Sequence, residues 1–426
     1  MRRGEPRDVE ETSAPALSTP PGRLAAVDAL RGFALLGILV VNITYYASGY
    51  RMAGLATPWF TSLLDWEVRA VVAVLFENKF YLLFAFLFGY SFTLQVDSAQ
   101  RAGASFVPRF LRRLAGLFLL GMAHAIFLFP GDILATYAMV GLALLVLRGL
   151  TPRAAMILAV ALTAALAAGM LLLAGLAMAG GGDAFGAVAE SAAQAEQADR
   201  ALHGSAGMII SEHVHKLGRI FLLRVFVQCP TVLAACLVGL AVGNRRLLCD
   251  DPSEHLAVLR RLQWAGFTVG LAGAGVYAHA TWSGGGGAYH MLGQSVNLVT
   301  SPLLAAAYAA TLLRVLPAVP RLAALFAPPG RMALTNYLAQ SLICSLIFTG
   351  YGLSLVETLS PLPVVSIGFL LFAAQAAYSR LWLARYRYGP VEWWLRWLTN
   401  GRRPAFVRPP RHTALPGVRR RRARST

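Results

Sequence analysis

Two pairs of ionisable residues stand in apolar stretches of the sequence, where charge is costly to bury. Asp28 and Arg31 open the stretch VDALRGFALLGILVVNITYY, one helical turn apart on one face. Asn42 returns to nearly the same face at the far end of this stretch. Ionisable groups in membrane segments often serve substrate or proton pathways. Two interpretations stay open: an ion pair that fixes the helix in the membrane, or a site where Arg31 binds a ligand.

The second pair is His124 and Asp132, which flank the turn sequence FLFPGD between two apolar segments. Histidine titrates near neutral pH and can act as a general base or a proton relay. An aspartate just before a helix also caps its free N–H groups, which gives Asp132 a second interpretation. A lone histidine on an apolar helix is more often a hydrogen-bonded packing residue, so that interpretation also stays open for His124.

Three further polar residues in apolar segments are candidates for ligand binding: Arg224, Asn336 and Gln340. Asn336 and Gln340 are four residues apart and share one helix face. Amides often join transmembrane helices by hydrogen bonds, and this is the competing interpretation for both. No metal site is expected, because His213 and His215 do not share a helix face.

The elements that must position these residues follow from the composition. The chain has 426 residues, 57% hydrophobic and 14% charged. A soluble domain carries about 25% charged residues. Several nearly uncharged stretches reach about 18 residues or more, which is enough to cross a hydrocarbon core. The sequence therefore predicts an all-α fold, a polytopic transmembrane helical bundle.

About ten spanning helices are predicted, and the basic content of the loops between them alternates. Their approximate limits are 24–46, 68–96, 108–129, 131–149, 154–180, 219–243, 258–281, 290–314, 332–351 and 361–384. Arginine-rich loops alternate with loops poor in base, so the positive-inside rule places both termini in the cytoplasm. The second segment contains Glu77 and Lys79, so an alternative puts an outer-surface helix over 59–76 and begins the span near Phe80.

Three regions are expected along the chain. Residues 1–22 form a disordered cytoplasmic N-terminus, 23–399 the transmembrane helical domain, and 400–426 a disordered basic tail against anionic lipid. Within the domain, an Ala/Glu/Gln-rich composition predicts an outer loop helix over 184–218. A Trp-rich helix over 390–399 is expected on the inner membrane surface, with Glu392 at its positive N-terminal end.

The net charge of +18 does not indicate a nucleic-acid partner, because the arginines lie between apolar segments and in the tail. The expected partner is the lipid bilayer, and the sequence predicts no oligomeric state. None of the patterns GxSxG, Walker A, HExxH or CxxC occurs, so the common soluble-enzyme and zinc signatures are excluded. Any catalytic chemistry must come from the polar residues inside the bundle.

Several motifs, taken in order, resemble the YeiB-like family (domain of unknown function 418). They are RLAAVDALRGFALLGILVVNI, KFYLLFAFLFGYSF, RRLAGLFLLGMAHAIFLFPGDILATYA, GRMALTNYLAQS and FAAQAAYSRLWLARYRYGPVEWWLRWLT. The resemblance runs from about Arg23 to Thr399. It implies a multi-pass protein of the bacterial plasma (inner) membrane without a settled activity, and older descriptions of the family suggest transport.

The first helix is also similar to that of transmembrane acyltransferases, whose D-x-x-R-G pattern matches Asp28, Arg31 and Gly32. That likeness implies acyl transfer from a cytoplasmic acyl-CoA-like donor to a glycan or lipid acceptor on the outer side. Arg31, held by Asp28, would bind a donor phosphate. Relatives of the heparan-modifying type carry a histidine just after the first helix, but NITYYASGYRMAG has none. We expect His124 to take its place.

On this interpretation His124 and Asp132 are catalytic. The other candidates, Asp28, Arg31, Asn42, Arg224, Asn336 and Gln340, bind substrate or donor. Acyl-CoA would be a co-substrate, and no permanently bound cofactor is expected. The alternative is a small-molecule transporter whose path is lined by the same polar residues.

Overall fold

The computed structural model describes residues 21–52, 55, 57–103, 105–179, 184–245, 255–282 and 286–408. Within these ranges the protein is a bundle of α-helices, and its one β-type pairing is an isolated bridge between Tyr386 and Val407. Seven helical stretches are long and apolar enough to cross a membrane. The all-α, multi-pass architecture is confirmed, while the count of ten spans and the cytoplasmic termini stay predictions.

Each of the ten expected segments corresponds to helix in the structure. The helices are α1 Pro21–Tyr46, α2 Gly49–Met52, α3 Leu63–Leu75, α4 Phe80–Arg101, α5 Phe106–Phe127, α6 Leu134–Val146, α7 Pro152–Ala179, α8 Ala184–His203, α9 Ala206–Leu223, α10 Cys229–Asn244, α11 Leu256–Ala265, α12 Leu271–Trp282, α13 Gly286–Val315, α14 Pro320–Arg331, α15 Ala333–Phe348, α16 Pro361–Arg385 and α17 Pro390–Asn400. Short π-helical turns make α9 continuous with α10 and α11 continuous with α12.

Helix α1 lies in the core and packs closely against α14 through two glycines. A Cβ atom on Gly32 would stand 1.9 Å from the carbonyl oxygen of Phe326. A Cβ atom on Gly330 would stand 1.8 Å from the carbonyl oxygen of Asp28. Small residues allow helix backbones to touch in this way. The glycine of the D-x-x-R-G pattern therefore has a packing role, and the contact fixes the end of α1 that carries Asp28 and Arg31.

The second predicted segment is broken between α3 and α4, as the alternative interpretation expected. Asn78 adopts a left-handed φ of 64° in this break, a conformation that asparagine tolerates better than most residues. Glu77 and Lys79 on either side are both buried in the protein. The ammonium of Lys79 donates to the carbonyl oxygen of Ala73 at 2.9 Å. Neither charge is left to face lipid.

The segment predicted as one outer helix over 184–218 consists of two helices. Helix α8 ends at His203, and Ser205 then takes an extended conformation at the N-terminus of α9. Helix α9 runs on into α10, so the helix that contains the sixth segment begins at Ala206. The reason is tertiary packing: Ile209 is buried with Leu202 and Val356.

A helix, α17, is present where the Trp-rich helix over 390–399 was predicted, and its acid has an additional role. Glu392 lies in the first turn of α17 as expected. Its Oε1 atom also accepts the N–H groups of Leu334 and Thr335 at 2.7 and 3.0 Å. These are N–H groups of the first turn of α15, which have no partner within their own helix. Glu392 therefore caps a neighbouring helix.

The tail expected to be disordered from residue 400 is ordered as far as Arg408. The N–H of Arg387 donates to the carbonyl of Phe406 at 2.9 Å, and the indole N–H of Trp393 donates to Pro404 at 2.9 Å. Phe406 packs on the Tyr386 ring with centroids 4.8 Å apart, which gives this segment an apolar anchor. The rest of the tail and residues 1–20 lie outside the described residues.

Candidate functional site

His124 and Asp132 meet at the tip of the hairpin formed by α5 and α6. Nδ1 of His124 lies 2.9 Å from Oδ1 of Asp132, and both side chains are 0% exposed. The other carboxylate oxygen of Asp132 accepts the N–H of Ala135 at 2.7 Å, which confirms the predicted capping of α6. The carboxylate thus holds the imidazole and the start of α6 together.

A glycine lets the two helices of this hairpin approach. A Cβ atom on Gly121 would lie 2.4 Å from the backbone nitrogen of Ala135 and 2.7 Å from Oδ2 of Asp132. Contacts this short exclude any larger residue without a shift of the helices. The glycine therefore belongs to the construction of the His124–Asp132 pair.

The environment of the pair is closed and incompletely hydrogen-bonded within the described residues. The 2.9 Å contact from Nδ1 of His124 departs from hydrogen-bond angles, and Nε2 has no protein partner. The hydroxyl of Thr136 is likewise buried without one. The ring of Tyr337 lies against the imidazole, with centroids 5.0 Å apart. Buried polar atoms without partners are rare and mark places where a proton, water or substrate is handled.

Three side chains from other helices satisfy the carbonyl groups of the α5–α6 turn. Arg224 donates to Pro130 at 2.7 Å, Ser345 donates to Leu128 at 3.0 Å, and Nδ1 of His213 lies 3.1 Å from the oxygen of Ile126. Carbonyls at a helix C-terminus need such partners. Arg224 therefore lies at the turn that carries Asp132, and not beside the Asp28–Arg31 pair.

At the opposite, predicted cytoplasmic end of the bundle, Asp28 orients Arg31 as expected. Arg31 donates to Oδ1 of Asp28 at 2.8 Å and to the hydroxyl of Ser91 at 2.6 Å. Both charged side chains are partly exposed, Arg31 to 28% and Asp28 to 17%. Asn42 lies roughly 16 Å further along α1 at 1.5 Å per residue, so it does not belong to this cluster.

Asp28 also borders a cavity of about 570 Å³ that the sequence did not reveal. Three arginines line it from three parts of the chain: Arg331 at the end of α14, Arg380 in α16 and Arg408 after α17. Arg31 is not among the lining residues. The sequence signal, basic residues in inner loops, had only been interpreted as evidence for membrane topology. The cavity combines a net positive lining with a size suited to a ligand.

The two amide candidates connect helices instead of facing either pair. Nδ2 of Asn336 donates to Ser379 at 2.9 Å, and Nε2 of Gln340 donates to Gln375 at 2.8 Å. Gln375 in turn donates to the backbone carbonyl of Asn336 at 3.1 Å. These bonds join α15 to α16, so the geometry favours the helix-joining interpretation. Within the described ranges, no group of three or more His, Cys, Asp or Glu side chains is arranged to hold a metal ion.

Comparison with known proteins decides the family. The family model described as "Protein of unknown function (DUF418)" matches residues 244–402. YxaH of Bacillus subtilis (strain 168) is 32% identical over 391 residues, which cover 87% of this chain and 92% of that protein. The chain belongs to the DUF418, or YeiB-like, family.

Two other relatives align with this chain over nearly their full length. YeiB of Escherichia coli (strain K12) is 30% identical over 397 residues, covering 88% of this chain and 96% of its own. A 39.9 kDa protein of Bacillus acidopullulyticus is 26% identical over 395 residues, which cover 89% of this chain and 95% of that protein. All three relatives are named as uncharacterized proteins. The resemblance to the YeiB-like family is confirmed, and any activity has to be argued from the site.

Proposed function

We propose that the protein transfers an acyl group from a cytoplasmic acyl-CoA-like donor to a hydroxyl acceptor on the outer side of a bacterial plasma membrane. The observation that carries this proposal is the fully buried contact between His124 and Asp132 at 2.9 Å, with Nε2 of the imidazole left without a partner among the described residues. An imidazole that lies against a carboxylate on one side and has no hydrogen-bond partner at its other nitrogen is suited to general-base catalysis.

The reaction uses Nε2 of His124 as the proton acceptor. The acceptor hydroxyl oxygen attacks the thioester carbonyl while its proton passes to Nε2. The new C–O bond forms and the C–S bond breaks, and the departing thiolate takes the proton back from the imidazolium. Asp132, fixed by the N–H of Ala135, stabilises the imidazolium between these two proton transfers.

The arginine-lined cavity at the predicted cytoplasmic end supports an anionic donor. Phosphate groups pair bidentately with guanidinium groups, and Arg331, Arg380 and Arg408 line one space of about 570 Å³. Binding pockets for small molecules commonly measure about 300–1,000 Å³. In this proposal the phosphates of the donor occupy this cavity, and Asp28 links it to Arg31 through their hydrogen bond.

The test uses purified protein in lipid vesicles with labelled acetyl-CoA. We expect His124→Gln to retain CoA binding and to lose roughly 10²–10⁴-fold in transfer rate, because it lacks the base. We expect Arg331→Gln to weaken CoA binding. Arg148→Gln, at an exposed position in a predicted inner loop, is the matched control and should behave as wild type. Folded wild-type protein that neither binds CoA nor transfers label to any glycan or lipid would refute the proposal.

A second candidate, small-molecule transport, is favoured by the interruptions in the helices. The break at Glu77–Lys79 and the π-helical turn at Arg224–Gln228 bring polar groups into long apolar stretches. Interrupted helices commonly form substrate sites in transporters. Counterflow of a substrate in proteoliposomes, lost in Arg31→Ala and present without any acyl donor, would favour transport over transfer.

A further inference from the structure

A second cavity, of about 60 Å³, lies between α1, α2, α3 and the connection that precedes α16. Four ionisable side chains line it: Arg51, Arg69, Glu77 and Glu357. It is separate from the His124 site. Thr44, the residue of α1 that lines the cavity, lies on the helix face opposite Tyr46. Tyr46 instead stacks on Phe129 of the α5–α6 turn with centroids 4.6 Å apart.

Two of these four ionisable side chains, Arg51 and Glu77, are paired with each other. Arg51 forms a hydrogen-bonded ion pair with Oε1 of Glu77. The other oxygen of Glu77 accepts the hydroxyl of Tyr277 at 2.9 Å. The Arg51 guanidinium also lies over the rings of Tyr45 and Trp282, 5.1 and 4.7 Å from their centroids. The charged groups of this pair therefore already have partners within the protein.

The other two ionisable side chains, Arg69 and Glu357, each keep one polar atom without a hydrogen bond from the described residues. Arg69 uses Nη2 to donate to the hydroxyl of Thr57 at 2.9 Å, while its buried Nη1 has no hydrogen-bond partner. The indole Nε1 of Trp282, whose ring lies 5.8 Å from the Arg69 guanidinium, is likewise buried without an acceptor. The cavity therefore has two N–H donors that no atom of the described residues accepts.

Glu357 supplies an oxygen that complements these donors. Its Oε1 accepts the hydroxyl of Ser48 and the N–H of Tyr50, while Oε2 is buried without a hydrogen bond. Trp59 lies beside this carboxylate but outside hydrogen-bond geometry. Burial raises the pKa of Glu357 above its ordinary value, and the hydrogen bonds from Ser48 and Tyr50 offset this only in part.

The backbone of Glu357 adopts an energetically unfavourable conformation. Its φ of 54° lies in the left-handed region that favours glycine, at a cost of roughly 1–2 kcal/mol for other residues. Its N–H is fixed by a 2.9 Å bond to the carbonyl of Ala47. A carboxylate held in a strained conformation, with one oxygen unused, fits a binding role better than a packing role.

We propose that this cavity binds a small zwitterion of the α-amino-acid class. The ligand carboxylate accepts Nη1–H of Arg69 and Nε1–H of Trp282, and the ligand ammonium donates to Oε2 of Glu357. A cavity of about 60 Å³ has room for roughly four to six water-sized groups, which is close to the number of non-hydrogen atoms in glycine or alanine. The site does not depend on acyl transfer.

Isothermal titration of the full-length protein in nanodiscs tests this site with glycine and L-alanine as probes. Propionate lacks the ammonium and glycinamide lacks the carboxylate. We expect each to bind roughly ten- to a hundred-fold more weakly than the amino acids, because each leaves one charged hydrogen-bonding group unpaired. Glu357→Gln and Arg69→Gln should weaken glycine binding to the same extent. Glu67→Gln, at an exposed position of α3, is the matched control and should bind glycine as wild type does.

Glu357→Gln keeps an oxygen for Ser48 and Tyr50, and circular dichroism will report whether it folds. If it does not, Trp282→Phe removes the indole N–H and should weaken glycine binding several-fold. Absence of glycine and alanine binding to folded wild-type protein would overturn the proposal, as would unchanged affinity in the folded variants. Binding of phosphoethanolamine without binding of either amino acid would overturn the assignment of a carboxylate ligand.

Discussion

The His124–Asp132 and Arg31–Asp28 pairs each bring one acid and one base together, in two very different surroundings. The first pair is 0% exposed, whereas Arg31 and Asp28 keep 28% and 17% of their side chains exposed. Electrostatic interactions strengthen as water is excluded. Loss of one partner from a buried pair costs about 3–5 kcal/mol, but an exposed pair contributes about 0–1 kcal/mol. The same chemistry can therefore be essential to the fold at one site and available for ligands at the other.

The largest expected effect is that of Asp132→Ala. The change removes the partner of a buried imidazole and the acceptor for the N–H of Ala135, so we expect a loss of about 3–5 kcal/mol in the free energy of unfolding. Urea unfolding in detergent measures it. Asp132→Asn keeps an oxygen for Ala135 and should lose less. An alanine variant within about 1 kcal/mol of wild type would contradict the closed environment described for this pair.

The next effect concerns the glycines that allow close helix contact at each site. Gly121→Ala and Gly32→Ala would place a Cβ atom 2.4 and 1.9 Å from backbone atoms of the neighbouring helix. We expect each to lower the free energy of unfolding by about 1–3 kcal/mol through overpacking. Gly169→Ala in α7, where a Cβ atom meets nothing within 4 Å, is the control and should be neutral or slightly stabilising. Equal stability of all three variants would show that these contacts can relax.

Arg31→Ala should have a small effect on stability and a large one on ligand binding. The change breaks the partly exposed bonds to Asp28 and Ser91, so we expect a loss of at most about 1 kcal/mol in the free energy of unfolding. On the acyl-transfer proposal, CoA affinity should fall, because Asp28 beside the arginine-lined cavity loses its partner. A loss above about 3 kcal/mol would instead favour the interpretation that this pair fixes α1 in place.

The smallest expected effect is a pH dependence from a third acid, Glu392. Burial raises the pKa of Glu392 above its ordinary 4.5, outweighing the hydrogen bonds that lower it. The folded protein therefore binds this proton more tightly than the unfolded chain. Its stabilising contribution is present below about pH 4.5 and is lost as the pH rises through the folded-state pKa. Unfolding midpoints from about pH 4 to about pH 8 should fall more in wild type than in Glu392→Gln. Parallel curves would exclude this linkage.

The sequence predicted the elements of this fold better than their mutual arrangement. Apolar runs located helices for every expected segment, because the length of a span is set by bilayer thickness. The break at Asn78 was anticipated because charged neighbours could not all face inward. The division at Ser205 was missed because the burial of Ile209 against Val356 depends on residues far apart in the chain.

The candidate site was predictable where its members are close in sequence. His124 with Asp132 and Asp28 with Arg31 are separated by short, regular distances, so local geometry was sufficient. The arginines at positions 331, 380 and 408 come together only through the packing of three elements. Arg224 was predicted to bind substrate or donor, and the sequence did not reveal that its bond to Pro130 places it at the His124 turn. Single-sequence patterns carry no information about such long-range pairs.

The cap of α15 has a consequence for the order of events during synthesis. Glu392, whose carboxylate accepts the N–H of Thr335, follows that residue by 57 positions in the chain. At about 5–20 residues per second, the ribosome reaches it roughly 3–11 seconds after Thr335 has been added to the chain. During that interval α15 carries uncapped N–H groups at its N-terminus. Helix α17 therefore completes an earlier helix, and nascent chains truncated before α17 leave α15 without this cap.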